Sequence, residues 1–421
     1  MKYPITRNEF LYFIFDDFHH VMRFRIHLTE EINGDLLNEA VQEAATRYPY
    51  FCLKVMRRGE DYRIEYNDLS VPVHEGIGGI ALGTEEANGH FMAVGYKRNC
   101  LVFDMYHNMS DGKGLAEWVK TVIYLYLCKV LDTELDATDI RLPGQDYLPG
   151  ETKDPYENLD LEAASEPVLP ARSPEVFVPD LRYAASADKY NYLIRASESD
   201  MMAFGRSRDG SPVAVTAYFI REMYKKLFPE CAGQNMLFGI PHSFRDLTDG
   251  ENNYHHESMI LNLYFDDRYE KMDVEKQLTC IRGSIILQST PENVLHRIYN
   301  RARDAQALDD MPSIEARRRA NRGYLAEMAD HNESAAVSYV GKVKWGAIEP
   351  FMKDIAIESA AMSSKILTGV IPLNGWLYLT MKLKQTSDIY ADTLVGLFNE
   401  NGITAQRVYD FEEDLCTVDM P

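Results

Sequence analysis

The sequence predicts a mixed α/β (α+β) protein of two lobes, each built from a mixed sheet flanked by helices. The chain has 421 residues, and a chain of this length divides into more than one hydrophobic core. Strand-like and helix-like periods of hydrophobicity alternate along it. Seven prolines and a surplus of acidic residues lie between 143 and 179, as in an extended linker or crossover. We therefore predict an N-terminal lobe at 1–180, with the proline-rich crossover at 143–180, and a C-terminal lobe at 181–421.

The first lobe begins with a strand at 21–28, where apolar and polar residues alternate as they do along a strand. From Leu36 to Tyr48 apolar residues recur at helical spacing. Pro49 ends this helix, because the residue before a proline is biased away from helical backbone. Beyond Gly112 a second helix carries a buried apolar side. Further strands are predicted at 51–57, 61–66, 90–97 and 100–106.

The second half shows the same mixture, without an internal sequence repeat. A helix begins at Ser211-Pro212, with the serine as N-cap and the proline in the first turn. Long helical stretches fill 273–330, and a last helix spans 388–400. Strands are predicted at 190–194, 236–240, 259–265, 335–345 and 366–384.

The chain carries 65 acidic and 44 basic side chains, which give a formal charge of −21. Such a surface repels nucleic acid and anionic membranes, so we expect neither as a partner. An anionic co-substrate would need a local basic patch, and arginines between 297 and 322 could supply one. A solvated helix face offset by neighbouring acids is the simpler interpretation. The candidate patch consists of Arg297, Arg301, Arg303, Arg317, Arg318, Arg319 and Arg322.

Two absences from the sequence indicate the compartment that we expect for this protein. No apolar run approaches the length of about 18 residues that a membrane span needs. The first residues lack the basic and then apolar pattern of a secretory signal, so we expect a cytoplasmic protein.

The six cysteines are scattered without a Cys-x-x-Cys pair, which fits neither a zinc site nor a disulfide framework. We expect reduced, mostly buried thiols.

The most informative segment is His107-Asn108-Met109-Ser110-Asp111-Gly112. It follows the strand at 100–106 and precedes a helix, so rigid elements on both sides would hold His107. An imidazole titrates near neutrality and can accept a proton at working pH. Gly112 lets the backbone turn tightly or approach a ligand closely. The segment therefore predicts a catalytic histidine.

Two other interpretations of this segment remain. One is a surface turn in which Asp111 only caps the helix. The other is a metal site, but two ligands four residues apart are too few without a third. His255-His256-Glu257 could add ligands, although doubled histidines in polar loops are usually solvated. We expect no metal.

The segment resembles the His-His-x-x-x-Asp-Gly signature of the superfamily of coenzyme A-dependent acyltransferases and nonribosomal-peptide condensation domains, with Tyr106 at the first histidine. Because that first histidine is absent, the segment resembles the acyltransferase branches, including standalone alcohol acetyltransferase-like members, more than the peptide-forming condensation domains. Arg47-Tyr48-Pro49-Tyr50-Phe51 and Ser338-Tyr339-Val340-Gly341-Lys342-Val343 resemble further family stretches, and the order of elements agrees along nearly the whole chain. The resemblance implies two chloramphenicol-acetyltransferase-like lobes that meet at a central channel.

The resemblance also implies roles for individual residues. His107 would deprotonate the acceptor, which would attack the acyl thioester directly, without a covalent enzyme intermediate. Asp111 would pair with an arginine, for which Arg245 is the candidate, and together with Gly112 would hold the loop. The oxyanion donor is open between the Ser338 hydroxyl and the Gly112 amide.

The expected function is acyl transfer from a thioester to a hydroxyl or amine of a small acceptor. Acyl-CoA is the expected co-substrate, with acyl-phosphopantetheine as the other possibility, and no tightly bound cofactor is expected. One alternative is a condensation or acyl-transfer enzyme of a biosynthetic cluster that depends on an acyl carrier protein, which the charge of −21 disfavours. The other is a non-catalytic binding member of the same fold. Intact His107 and Asp111 argue against it, and a channel blocked by side chains would favour it.

Overall fold

The structure is a computed structural model, which describes residues 21–58, 61–155, 175–179, 190–248, 250–313, 315–317, 319–320, 333–359, 366–383 and 387–412. Within these ranges the first half contributes β1 (Val21–Leu28), α1 (Gly34–Ala45), β2 (Leu53–Arg58), β3 (Asp61–Tyr66), β4 (Val73–Glu75), β5 (Met92–Lys97), β6 (Cys100–Tyr106) and α2 (Gly112–Leu131).

The second half contributes eight described strands and six described helices, counting one helix of a single turn. They are β7 (Tyr190–Ser197), α3 (Glu198–Arg206), α4 (Pro212–Leu227), β8 (Met236–Ser243), α5 (Arg245–Thr248), β9 (Ser258–Phe265), α6 (Val274–Gln288), α7 (Pro291–Asp309), β10 (Ala335–Tyr339), β11 (Met352–Ser359), β12 (Ile366–Leu373), β13 (Trp376–Leu383), α8 (Asp388–Glu400) and β14 (Ala405–Glu412). No helix of the described chain is long and apolar enough to cross a membrane.

A five-stranded sheet in the order β11-β1-β6-β5-β4 forms the first layer. One face of β1 presents Phe24 and Ile26 to the hydrophobic core that α1 and α2 complete. The alternation of β1 would suit a strand with one solvated face, but that face is buried too. Arg23 and Arg25 lie there, and each is paired with an acidic side chain of a neighbouring strand. The polar face of this sheet is therefore an interior surface.

The second sheet has seven strands in the order β14-β7-β13-β12-β10-β8-β9. β10 runs parallel to both β8 and β12, and the other pairs are antiparallel. Apolar residues of α4, α6 and α8 pack on this sheet to form a second core. A two-stranded hairpin, β2-β3, completes the architecture. Mixed sheets flanked by helices confirm the predicted fold class.

The two sheets are joined by β11, a strand from the second half that pairs antiparallel with β1. The backbone amide of Ile357 on β11 donates to Thr380 Oγ1 on β13 at 3.0 Å. Gly369 on β12 leaves so little room that a Cβ there would lie 3.0 Å from the Ile357 carbonyl oxygen. The division near residue 180 remains a prediction, and most of the boundary, 156–174 and 180–189, lies outside the described residues.

Within the described part of the proline-rich segment, Glu151 makes the main contacts with the rest of the protein. Glu151 is buried and accepts hydrogen bonds from Arg47 Nη1 and Nη2 at 2.7 and 2.8 Å and from the Tyr50 hydroxyl at 2.7 Å. Asn253 Nδ2 donates to the carbonyl oxygens of Gly150 and Lys153. Residues 150–153 thus link Arg47 and Tyr50, which follow α1, to the loop before β9.

Several elements differ from the prediction. The predicted strand at 335–345 ends at Tyr339, and β11 follows as a separate strand that was not predicted; α3 and β14 were also missed. The helical stretch from 273 onward contains α6 and α7, which are separated before Pro291 because a proline lacks the amide hydrogen that a continuing helix needs; residues 315–317 and 319–320 are also helical. Residues 321–330 of that stretch lie outside the described residues.

Candidate active site

His107 lies in the turn between the last residue of β6 and the first residue of α2. Every residue of β6 is buried, so the strand is a fixed support for this turn. His107 Nδ1 lies 3.0 Å from the carbonyl oxygen of Ser110. A carbonyl oxygen only accepts, so this contact assigns the proton to Nδ1 and leaves the lone pair on Nε2. The turn therefore favours the tautomer of a neutral His107 that is protonated at Nδ1.

Asp111 is the N-cap of α2. Its Oδ1 accepts from the backbone amides of Lys113 and Gly114 at 3.1 and 3.2 Å, which satisfies amides that the first helical turn leaves without partners. The surface-turn interpretation correctly predicts that Asp111 caps the helix. It also predicts a solvent-exposed carboxylate, whereas Asp111 is only 7% exposed. The carboxylate thus anchors the helix from inside the protein.

The predicted ion pair between Asp111 and Arg245 is present. Arg245 Nη1 lies 2.5 Å from Oδ2 and Nη2 lies 2.9 Å from Oδ1, a two-point contact. Burial by itself would raise the pKa of Asp111, but the guanidinium more than offsets this and holds the pKa below its ordinary value. Arg245 Nη2 also donates to the carbonyl oxygen of His255 at 2.8 Å. Arg245 therefore ties the motif to the loop before β9.

A second buried carboxyl, Glu257, lies behind this pair. Its backbone amide donates to Asp111 Oδ2 at 3.3 Å, and its side chain accepts from the Thr248 hydroxyl. Among the described residues, Glu257 Oε1 has no hydrogen-bond partner. Burial raises the pKa of Glu257, and the nearby Arg245 only partly opposes the shift. The expectation of a solvated 255–257 loop is wrong here, because His255 and Glu257 are fully buried.

His256 places a second imidazole beside His107. The two ring centroids are 4.9 Å apart and the rings meet edge to face at 68°. His256 Nε2 lies 2.9 Å from Ser258 Oγ, so β9 fixes this ring. The sequence raises His256 only as a possible extra metal ligand, and it does not predict the ring contact with His107.

Two glycines let the start of α2 approach its neighbours. A Cβ on Gly112 would lie 3.0 Å from Val340 Cγ2. A Cβ on Gly114 would lie 2.5 Å from the carbonyl oxygen of Tyr254, to which Ser110 Oγ donates at 2.7 Å. Neither glycine has a positive φ, so close approach is the constraint. Gly114 is the tighter position and was not singled out from the sequence.

Ser338 lies on β10 opposite Gly369 of β12. The strand ends one residue later, and Val340 then contacts Gly112. No hydrogen bond between Ser338 and His107 occurs in the described part of the chain, and the role of oxyanion donor remains a prediction for both Ser338 and the Gly112 amide.

The arginine-rich stretch is only partly described. Arg297 has a structural role, because it donates to the carbonyl oxygen of Ile260 at 2.6 Å and to Gln288 Oε1 at 3.0 Å. Arg303 and Arg319 are exposed. The side chain of Arg301 and residues 318 and 322 lie outside what the structure describes. The phosphate-binding role of this stretch stays a prediction.

The fold is that of chloramphenicol-acetyltransferase-like condensation domains and acyltransferases, as the sequence resemblance predicts. No family model and no curated protein sequence matches the chain. Polyketide synthase associated protein 5 from Mycobacterium tuberculosis is 13% identical with a TM-score of 0.58, covering 93% of this chain and 96% of its own. TRI101 of F. graminearum, complexed with coenzyme A and T-2 mycotoxin, is 12% identical with a TM-score of 0.60, covering 97% and 100%.

The nonribosomal peptide synthetase FmoA3 is 11% identical with a TM-score of 0.60, and the match covers 95% of this chain but 42% of that one. Identities this low show the fold alone. The two-lobed architecture is therefore shared, whereas the central channel and the roles of the site residues remain predictions.

Proposed function

We propose that this protein transfers an acyl group from a thioester to a hydroxyl or amine of a small acceptor, with His107 as general base. The observation that carries the proposal is the contact between His107 Nδ1 and the Ser110 carbonyl oxygen at 3.0 Å. It orients the imidazole with Nε2 as the basic atom, on a turn held by a buried strand and a capped helix.

The reaction follows from that assignment. His107 Nε2 takes the proton of the acceptor, and the freed oxygen or nitrogen attacks the carbonyl carbon of the thioester. The tetrahedral intermediate then collapses and the carbon–sulfur bond breaks. The departing thiolate takes the proton from Nε2 and leaves as a free thiol. No side chain becomes acylated in this sequence, and the histidine ends in its starting state.

Asp111 and Arg245 act as positioning residues in this proposal. The two carboxylate oxygens accept from the Arg245 guanidinium and from the amides of Lys113, Gly114 and Glu257. A carboxylate so engaged has a depressed pKa and stays ionised, so it is a poor proton shuttle. Its role is to hold the 107–111 turn against α2.

Acyl-CoA is the donor that we favour. TRI101, which shares the fold, has been solved with coenzyme A and T-2 mycotoxin. An acyl carrier protein is the second candidate donor, because FmoA3 shares the fold too. The charge of −21 would repel an acidic carrier protein, whereas anionic acyl-CoA would need only a local basic patch. Use of either donor is consistent with a cytoplasmic setting, which remains a prediction.

The test is release of free thiol from a panel of acyl-CoAs with alcohol and amine acceptors. We expect His107→Ala to lower the rate by about 10²–10⁴-fold, the range that a positioned general base contributes. His296→Ala is the matched control, because His296 is a half-buried histidine on α7 that is hydrogen-bonded to Asn300, and it should retain the wild-type rate. Equal rates for the wild type and His107→Ala would overturn the role of His107.

A parallel assay separates the remaining alternatives. If the protein turned over a loaded acyl carrier protein but none of the free acyl-CoAs, it would be a carrier-dependent enzyme. Binding of an acceptor without turnover of either donor would favour the non-catalytic member of the fold.

A further inference from the structure

Two side chains of the turn that carries His107 are anchored to the loop before β9. Asp111 reaches that loop through Arg245, which donates to one of its carbonyl oxygens. Ser110 reaches it directly, because its Oγ donates to the carbonyl oxygen of Tyr254 at 2.7 Å. The hydroxyl has one proton, and the Asp111 carbonyl oxygen is farther from it, at 3.2 Å. The Tyr254 carbonyl oxygen is therefore its main acceptor.

The Ser110 hydroxyl lies in a closely packed position. Ser110 is 0% exposed, so its hydrogen bond is shielded from water. A Cβ on Gly114 would lie 2.1 Å from Ser110 Oγ. The first turn of α2 thus leaves room for the hydroxyl only because residue 114 has no side chain. A buried hydroxyl in this position needs its acceptor, since an unpaired polar group away from water is costly.

The acceptor is itself held from the first half of the protein. The Tyr254 ring stacks on the Tyr50 ring, with centroids 4.1 Å apart and planes 14° apart. The backbone amide of Tyr254 donates to the Glu151 carbonyl oxygen at 3.2 Å, and the Tyr50 hydroxyl donates to the Glu151 carboxylate at 2.7 Å. Tyr254 is only 3% exposed. Its carbonyl oxygen is therefore a fixed point to which the Ser110 side chain is tied.

The backbone of the same serine serves His107. The Ser110 carbonyl oxygen lies 3.0 Å from His107 Nδ1 and receives its proton. The peptide unit between residues 110 and 111 thus lies between two anchored side chains, the Ser110 hydroxyl and the Asp111 carboxylate. A rotation of this peptide unit would turn the carbonyl oxygen away from Nδ1. The hydrogen bond at one ring nitrogen sets which nitrogen carries the proton, so that rotation would release the tautomer.

We propose that Ser110 is a positioning residue whose hydroxyl, by donating to the Tyr254 carbonyl oxygen, keeps its own carbonyl oxygen aimed at His107 Nδ1. The basic lone pair of the imidazole then stays on Nε2. The catalytic part of this inference rests on the proposed function, whereas the tautomer is a property of the resting protein. Without the hydroxyl, His107 populates both tautomers, and only the one with its lone pair on Nε2 can take the proton of the acceptor there.

The first test is nuclear magnetic resonance of the imidazole nitrogens in full-length protein made with isotope-labelled histidine, at a pH where the imidazole is neutral. The His107 signals are the ones missing from His107→Ala. We expect Nδ1 protonated and Nε2 unprotonated in the wild type, and averaged signals in Ser110→Ala. Ser110→Cys fills the space of the hydroxyl with a weaker donor and should shift the signals in the same direction.

A matched control separates this role from the loss of any buried hydroxyl. Ser334 is also 0% exposed, and its Oγ donates to the Phe177 carbonyl oxygen beside the second core. We expect Ser334→Ala to lower the melting temperature, as Ser110→Ala does, and to leave the His107 signals unchanged. Averaged His107 signals in both alanine variants would overturn a specific role for Ser110.

The second test is steady-state thiol release. Ser110→Ala should lower kcat by up to about tenfold, the size expected for one lost hydrogen bond, with KM unchanged. Ser334→Ala should keep the wild-type kcat. If no acyl-CoA is turned over, the proposed function fails, and the resonance experiment still decides the role of Ser110. Wild-type His107 signals in folded Ser110→Ala or Ser110→Cys would overturn the proposal.

Discussion

Arg245 Nη1 and Asp111 Oδ2 lie 2.5 Å apart in a buried two-point ion pair that connects the N-terminus of α2 to α5, the short helix after β8. The pair joins residues 134 positions apart in the chain. It therefore couples the position of the turn that carries His107 to the packing of the second half of the protein.

Removal of the arginine should be costly, because it leaves a buried carboxylate without its counter-charge. We expect Arg245→Ala to lower the free energy of unfolding by about 3–5 kcal/mol, measured by urea denaturation, and to lower acyl transfer. Arg268→Ala is the control, since Arg268 pairs with Asp266 on the surface and such pairs contribute about 0–1 kcal/mol. Similar losses in the two variants would contradict a structural role for the buried pair.

The space around Gly114 gives a second prediction. An added methyl group would meet the Tyr254 carbonyl oxygen at 2.5 Å, so Gly114→Ala should cost about 1–3 kcal/mol in unfolding free energy. Gly396→Ala is the matched control, because Gly396 lies inside α8 with open space at its Cβ position. There alanine should stabilise the helix by up to about 1 kcal/mol. Thermal denaturation measures whether Gly114→Ala lowers stability while Gly396→Ala raises it. A change of stability in the same direction in both variants would refute the packing argument.

Glu257 should respond to pH in the opposite sense to Asp111. Because folding raises the pKa of Glu257, its ionisation destabilises the folded state as the pH rises past the ordinary value near 4.5. Asp111, whose pKa is lowered, instead contributes stability that is lost as the pH falls below its ordinary value near 3.8. Both effects follow from burial and the shared Arg245.

Glu257→Gln is therefore expected to increase the free energy of unfolding at pH 7. The gain over the wild type should shrink as the pH approaches 4, where the glutamate is neutral in both states. Chemical denaturation at several pH values measures it, with Glu400→Gln on the exposed end of α8 as control. A neutral-pH loss of stability in Glu257→Gln would contradict an unfavourable buried charge.

His256 is expected to restrain the His107 ring. An edge-to-face contact contributes about 0.5–1.5 kcal/mol, so His256→Ala should lower kcat by up to about tenfold. His256→Phe keeps an aromatic ring at this position but loses the contact with Ser258, and it should recover most of the rate. Steady-state thiol release measures both, and a wild-type rate in folded His256→Ala would exclude this role.

The sequence predicts those parts of the site that depend on neighbouring residues in the chain. A buried strand, a histidine, a capping aspartate and a glycine follow one another between 100 and 112, and local preference is enough to place them. The Arg245 partner also follows from the sequence, through the family resemblance. The burial of His255 and Glu257 depends on how a distant loop packs against α2, and residue type alone favours the solvated state.

The same distinction applies to the fold. The regular periods of α1, α2, α4 and α8 predict those helices. The strand β11 was missed because it lies at the edge of the five-stranded sheet, beside β1. Nothing in the sequence near residue 350 indicates that β1 is its partner. For the same reason the polar face of β1 was not recognised as an interior surface, since its burial depends on acids of β6 and β11.

The pairing of β1 with β11 bears on how the protein is made. His27 and Asp354 are 327 positions apart, so a ribosome must release most of the chain before the first sheet can be completed. Until then β1 is an open edge, the kind of surface on which nascent chains pair wrongly. Such long-range closure also slows folding. A fragment ending near residue 180 would keep that edge permanently, and its expression would depend on chaperones or yield aggregates.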